Sequence, residues 1–237
     1  MFLVLAAAMV PFDYRGTMRP GQSVTIGDVN GSVRVRVGDR LSIHAVKRAD
    51  HSDPNAVAIH VETGADGIVV CVRYPPDANR GCGDHRVSHD SRDNDTSVEF
   101  DVVVPHGVRL DASTVNGSLD VVGETVEDLT TVNGSIRAEA RDLQRATTVN
   151  GSIAATLLER SRSPLVAKTV NGSIHITLPA GSGVALDART LTGGISADGV
   201  TVQRPQFGPG AHANGTLGDG SRSVTLATVN GSITLRR

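Results

Sequence analysis

The sequence predicts an all-β chain, a β-solenoid of stacked short strands resembling a single-stranded β-helix, preceded by a less regular β region. Three observations carry this expectation. The phrase Thr-Val-Asn-Gly-Ser-Ile stands at Thr131 to Ile136, Thr148 to Ile153, Thr169 to Ile174 and Thr228 to Ile233. Thr114 to Leu119 ends in Leu, Asp28 to Val33 is a looser copy, and Thr190 to Ile195 is a degraded one. The second observation is the period. Asn116, Asn133, Asn150, Asn171 and Thr192 lie 17, 17, 21 and 21 residues apart, and self-similarity at a short, near-fixed period means stacked units. The third is composition. With 26 Gly, 3% aromatic residues and no Trp, the chain suits tight corners and a narrow interior filled by small and β-branched side chains.

Asn-Gly between apolar runs also signals a type I′ hairpin. A two-residue hairpin would set Val132 opposite Ser135 and Thr131 opposite Ile136, mixing polar and apolar on each face. A straight strand sorts them: Val132, Gly134, Ile136 and Ala138 on one face, Thr131, Asn133, Ser135 and Arg137 on the other. The straight reading therefore predicts that each phrase lies on the next, about 4.8 Å away. The glycine then marks a close backbone approach or a corner. Leu143 and Ala146, Leu165 and Ala167, and Val184, Leu186 and Ala188 supply the second apolar edge of each repeat.

Taken in order, Met1 to Val10 is apolar but short of the roughly 20 residues that span a bilayer. Its apolar centre and small-residue end suggest a clipped signal peptide over residues 1–11, with a buried first strand as the alternative. Residues 12–107 form the N-terminal β region. Ser23 to Ile26, Val33 to Val37, Leu41 to Val46, Val57 to Val61, Gly67 to Val72 and Ser97 to Val104 read as strands in it. Between them, residues 74–95 carry Pro75, Pro76, Gly81 and Gly83 among charges and are expected to be a long surface loop. Residues 108–237 form the repeat body, interrupted by a Gly- and Pro-rich excursion over Val202 to Gly220. The 23 basic and 25 acidic residues leave a net charge of −2, which argues against a nucleic-acid surface.

The repeats resemble the bacterial β-strand-repeat "putative adhesin" family, a domain of unknown function. Phe100 to Val108 precedes the first close repeats, Leu178-Pro179-Ala180 follows Thr169 to Ile174, and Thr225 to Asn230 stands near the end. The resemblance covers most of Val98 to Arg237 and, more weakly, Gly21 to Val46. It implies an extracytoplasmic β-solenoid and brings no catalytic residues. At Leu191-Thr192-Gly193-Gly194 the Asn and Ser of the phrase are lost, so an outer ladder is expected to break there.

Four features are candidates for chemistry. Stacked Asn116, Asn133, Asn150 and Asn171 would form a polar ladder, whose plain role is to hold rungs in register. Its functional role would be to face a repetitive polymer such as a glycan, although glycan sites usually add aromatic platforms. Cys71 and Cys82 fit a disulfide in an exported chain. Free thiols, or a metal site using the Cys82-x2-His85-x3-His89 spacing, are the alternatives. Asp90, Asp93, Asp95 and Asp101 cluster in sequence but lack the glycine and terminal Glu of a calcium loop. At the end of the chain, Arg236 and Arg237 are expected to guard an uncovered edge, with pairing to a partner strand as the alternative. Asn-Gly-Ser also matches a glycosylation acceptor, but here it recurs inside strands.

No nucleophile elbow or cofactor motif is present. The expectation is a non-catalytic, cofactor-free module of the cell envelope that binds a surface partner or glycan. A polysaccharide-processing enzyme is the alternative, and it would need converging polar groups among Asp120, Arg137, Ala154, His175 and Ser196. An envelope-stress sensor is a third reading with no residue for or against it.

Overall fold

The computed structural model describes residues 8–83, 94–204 and 209–237. Its first strands are β1 (Ala8–Gly16), β2 (Ser23–Gly27), β3 (Val33–Gly38), β4 (Leu41–Ala49), β5 (Ala58–Thr63), β6 (Gly67–Arg73) and β7 (Ser97–Pro105). Then come β8 (Arg109–Ser113), β9 (Leu119–Thr130), β10 (Ile136–Thr147), β11 (Ile153–Leu157), β12 (Leu165–Lys168) and β13 (Ile174–Thr177). The last are β14 (Val184–Thr192), β15 (Ile195–Ala197), β16 (Val202–Gln203), β17 (Ala211–Leu217), β18 (Arg222–Asn230) and β19 (Ile233–Arg236). The chain is all-β: two short 3-10 turns, Pro54–Ala56 and Asp77–Asn79, are its only helical segments among the described residues.

The repeats stack in parallel and in register. Ile136 pairs with Leu119 on one side and with Ile153 on the other, and Ile153 with Ile174. One face of the stack runs β3, β9, β10, β11, β13, β19, β15. A second face runs β2, β8, β9, β10, β12, β18, β14. β9 and β10 are long enough to belong to both. Each face buries alternate residues, because side chains alternate along a strand, and the two faces share one apolar core.

Antiparallel strands close the ends. On the first face β7 pairs with β3, then β4 and β1 follow antiparallel. On the second, β6 pairs with β2 and carries β5, while β17 and β16 cover β14 at the far end. Of the apolar start, residues 8–10 open β1. Residues 1–7 lie outside the described residues.

Two expectations are corrected. The phrase does not run straight. Thr131 is 1% exposed and Val132 is 36% exposed, the reverse of the straight-strand assignment. The chain bends at Asn-Gly, so alternation is reset there and resumes at Ile136. The bend permits a close backbone approach that sets the corner: a Cβ on Gly134 would collide with the carbonyl oxygen of Gly117, one on Gly117 with that of Gly31, and one on Gly151 with that of Gly134.

The stack is also not sequential. Asn230, from the last phrase, bridges to Asn171, and β19 sits between β13 and β15. The C-terminal strand is therefore interior, and Arg236 guards no open edge. The chain passes outward after β13, builds the β14–β17 cap, and returns to insert β18 and β19. Arg222 fixes the return. It is 2% exposed and donates to the Asp142 carboxylate at 2.9 Å and to the Leu143 carbonyl at 2.7 Å. β12 begins only at Leu165, and the Arg222 side chain reaches across that vacated level from β18 to β10.

Replacing Gly134 by Val should lower unfolding free energy by about 2 kcal/mol or more, because backbone and not a flexible side chain must move. Val132→Thr should change it by less than about 0.5 kcal/mol. Urea denaturation of the two variants checks both values.

Candidate functional site

Three rows of polar groups run along the corners. The threonine row is internal. Thr131 donates its hydroxyl to the Gly117 carbonyl at 2.9 Å, and Thr148 and Thr169 do the same to Gly134 and Gly151. Thr228 and Thr190 extend the pattern to Gly172 and Gly231. These hydroxyls satisfy carbonyl groups that the bend leaves without a strand partner. Sequence reasoning placed these threonines outside. The signal that could have found them was their invariance across copies at a position where an exposed residue would vary.

The asparagine row is external. Asn116 donates to Asn30, Asn133 to Asn116, Asn150 to Asn133, Asn171 to Asn150 and Asn230 to Asn171, each Nδ2 to Oδ1 at 2.8 Å. The row thus brings together Asn116, Asn133, Asn150 and Asn171 and adds Asn30 and Asn230, from both ends of the chain. Thr192 closes it, donating to Asn230 Oδ1 at 2.6 Å.

The serine row lies beside it. Ser135 N donates to Ser118 Oγ at 3.3 Å, and Ser152 N to Ser135 Oγ at 3.3 Å.

One rung is chemically different. Where the other copies carry Thr, the first carries Asp28, which is fully buried. Its Oδ1 accepts from Val29 N at 2.7 Å, while Oδ2 has no partner. The neighbour on that side is β7, not another phrase: Val98 N donates to Asn30 O. Thr96 beside β7 is buried too, with its hydroxyl unpartnered, and Tyr74 donates to the Thr96 carbonyl at 2.7 Å. Burial pushes the Asp28 carboxyl up to about 8, against the pull of the Val29 N–H, and burial together with Asp28 raises the Tyr74 phenol.

The remaining candidates are dispersed. Cys71 and Cys82 form a disulfide with a Cα–Cα separation of 5.6 Å, so neither offers a thiolate to a metal. His85 and His89 lie outside the described residues, as do Asp90 and Asp93. Asp95 accepts from the backbone N–H groups of Asp50, His51 and Ser52 at 3.1, 2.8 and 2.9 Å. Hydrogen bonds to Ser52, with further ones to His51, hold its carboxyl well below the usual range. Asp101 pairs with Arg36 at 2.7 Å. Of the stretch over residues 74–95, the described residues are tied by the disulfide, by Tyr74 and by Asp95.

Outside the first face, Arg34, Asp120, Arg137, Ala154 and His175 occupy successive rungs of one row. Ser196 joins the row beyond Thr234. Between this row and the serines lies a groove of about 460 Å³. Sequence reasoning named Asp120 and Arg137 but missed Arg34 and Glu99, which reach the groove only because β3 pairs onto β9 and β7 onto β3.

No family model and no curated protein sequence matches this chain. Among solved structures it is similar to a putative cell adhesion protein from Clostridium sporogenes, with 14% identity over 96% of this chain and 99% of that one, at a TM-score of 0.53. A putative adhesin from Bacteroides fragilis aligns over 97% of this chain and 96% of its own, with 9% identity and a TM-score of 0.36. The first likeness shows a shared fold.

Two outcomes follow. Thr148→Val should destabilise by about 1–2 kcal/mol, since it orphans the half-buried Gly134 carbonyl. Asn150→Ala, on the wet side, should cost less than Thr148→Val does. Thermal melts rank them.

Asp28 sets a pH dependence. Its folded pKa stands above the unfolded value, so its contribution is complete below 3.8, is lost as pH rises, and is gone above about 8. Asp28→Asn should flatten that slope and raise the melting temperature at pH 8 by on the order of 5 °C. Melts of both proteins from pH 4 to 9 are the check.

Proposed function

We propose that this chain is a non-catalytic β-solenoid module of the bacterial cell envelope, adhesin-like in acting through surface binding. The observation that carries the reading is the outer Asn row, continuous from Asn30 to Thr192. It is a rigid, regular and solvent-facing array held by hydrogen bonds along the whole stack. Binding needs such a preorganised surface because immobilised groups lose little further freedom on contact. In this reading residues 108–237 are the repeat body, and residues 12–107 supply the first rungs and one cap.

Extracytoplasmic placement is supported by the Cys71–Cys82 disulfide, since such bonds persist in oxidising compartments. No helix among the described residues is long and apolar enough to cross a membrane. The likeness to the putative cell adhesion protein from Clostridium sporogenes supports the adhesin-like role at the level of fold. The row from Arg34 to His175 alternates charge and then loses it at Ala154, which suits a contact surface better than an acid–base pair.

Fractionation of the native cells, protease treatment of intact cells, and cysteine mapping without reductant test the proposal. The expected result is an exported, protease-accessible protein with Cys71 joined to Cys82. A cytoplasmic protein with reduced cysteines would overturn it.

A further inference from the structure

We infer that the groove beside the serine row is a docking site for an uncharged polysaccharide lying along the stack. The inference rests on the binding-module reading and adds the ligand class and the site.

One wall of the groove is formed by Ser32, Ser118, Ser135 and Ser152 on consecutive rungs. The oxygens of Ser32, Ser118 and Ser135 each accept a backbone N–H from the next serine, at 3.2 to 3.3 Å. A hydroxyl has one donor and two acceptor sites, so each of these keeps its O–H and one lone pair for the outside. The hydroxyls recur about every 4.8 Å, over about 14 Å in all.

The other wall carries Arg34, Asp120 and Arg137. No ion pair or hydrogen bond engages these three side chains among the described residues, although Arg34 and Arg137 both register against Asp120. Side chains that could neutralise one another in the row are instead left open to a ligand. Glu99 closes the groove near Arg34, and Ala154 leaves it open beyond Arg137. A second hollow of about 290 Å³ adjoins on the far side of Arg137, reaching Glu139 and Thr156. The surface is long and continuous across rungs, which suits an extended chain.

The charge pattern decides the ligand. The lining carries the two guanidinium groups of Arg34 and Arg137 and the two carboxylates of Asp120 and Glu99, so its own charges balance, with Arg48 pairing Glu99 at 3.9 Å from outside the lining. The groove offers donors and acceptors in alternation. A ligand with many hydroxyls, each both donor and acceptor, satisfies that pattern, and a neutral polysaccharide repeats it along its length. The one aromatic residue of the lining, Phe100, is buried, so hydrogen bonding and not stacking supplies the contact. Each site is therefore weak and gains from several rungs acting together.

The test uses the full-length, disulfide-intact protein in affinity electrophoresis through gels containing dextran, laminarin, galactomannan or, as the acidic counterpart, alginate. Ala154→Trp fills the groove from a half-buried outward position. Val166→Trp is the matched change on the opposite face, and equal melting temperatures establish that both fold. Should Ala154→Trp melt lower, the pair Ser135→Ala and Ser152→Ala removes hydroxyls without adding bulk.

The expected result is retardation of the wild type and of Val166→Trp by at least one neutral polymer, with affinity reduced about tenfold or more in the groove variant. Retardation by alginate alone, neutral binding unchanged in the groove variant, or no retardation by any polymer would each overturn the inference. Those results leave the module reading standing if the protein is found outside the cytoplasm. A cytoplasmic location removes the module reading whatever the gels show.

Discussion

The architecture depends on one close contact: the α-carbon of a glycine resting on the carbonyl oxygen of the glycine one rung away. From Gly31 to Gly193 the position holds glycine on every rung, and a Cβ at each would strike the backbone of its neighbour. The constraint is steric and absolute, since backbone has no rotamer by which to yield. Once the corner is that tight, the residues before and after it have little choice. Thr turns inward, where its hydroxyl caps the glycine carbonyl, and Val and Asn turn outward. Strand alternation restarts at Ile on the far side.

The same corner explains how the last phrase joins the middle of the stack. A slot between two rungs demands only a glycine at the bend, a threonine inside and an asparagine outside. Thr228 to Ile233 meets those demands as fully as any other copy. The cost is entropic, because Asn230 meets Asn171 across 59 residues. Closing a long loop is only slowly more expensive than closing a short one. The return is further secured by Arg222, a buried cation whose partners lie on a strand 79 and 80 residues away. A buried charge left without its partner is strongly unfavourable, so the Arg222–Asp142 pair discriminates against insertion at another level.

This sets the limit of what the sequence could reveal. Most strands, the two apolar edges and the asparagine positions were legible, because each leaves a periodic mark, whereas β16 and β17 fall in the stretch over Val202 to Gly220 that reads as a Gly- and Pro-rich interruption. The order of the rungs was not. The phrases are near-identical, and identical phrases carry no information about which neighbours which. The bend was half legible: glycine announced a corner, but face-sorting across Asn-Gly assumed an unbroken period of two. Asp28 was a readable exception, the one charged residue at a threonine position; its neighbour is β7, where the Val98 carbonyl takes the place that a glycine carbonyl holds on the other rungs. Arg34 and Glu99 could not have been assigned to the groove, because their rungs are set by the β3–β7 and β3–β9 pairings, which join residues 67 and 86 apart in sequence.

The structural and functional readings of the outer rows are not rivals. Each Asn amide has two N–H groups and two carbonyl lone pairs, and the ladder uses one of each. Each serine oxygen spends one lone pair on its neighbour. Register is therefore secured with half the capacity of each amide and a third of that of each hydroxyl, and the rest faces outward at the same spacing. A charged or aliphatic ladder could not do both: like charges repel along the stack, and aliphatic rows have no directional valence left to offer. Amide and hydroxyl rows are the side chains that hold a stack together while leaving a second, commensurate set of donors and acceptors unspent.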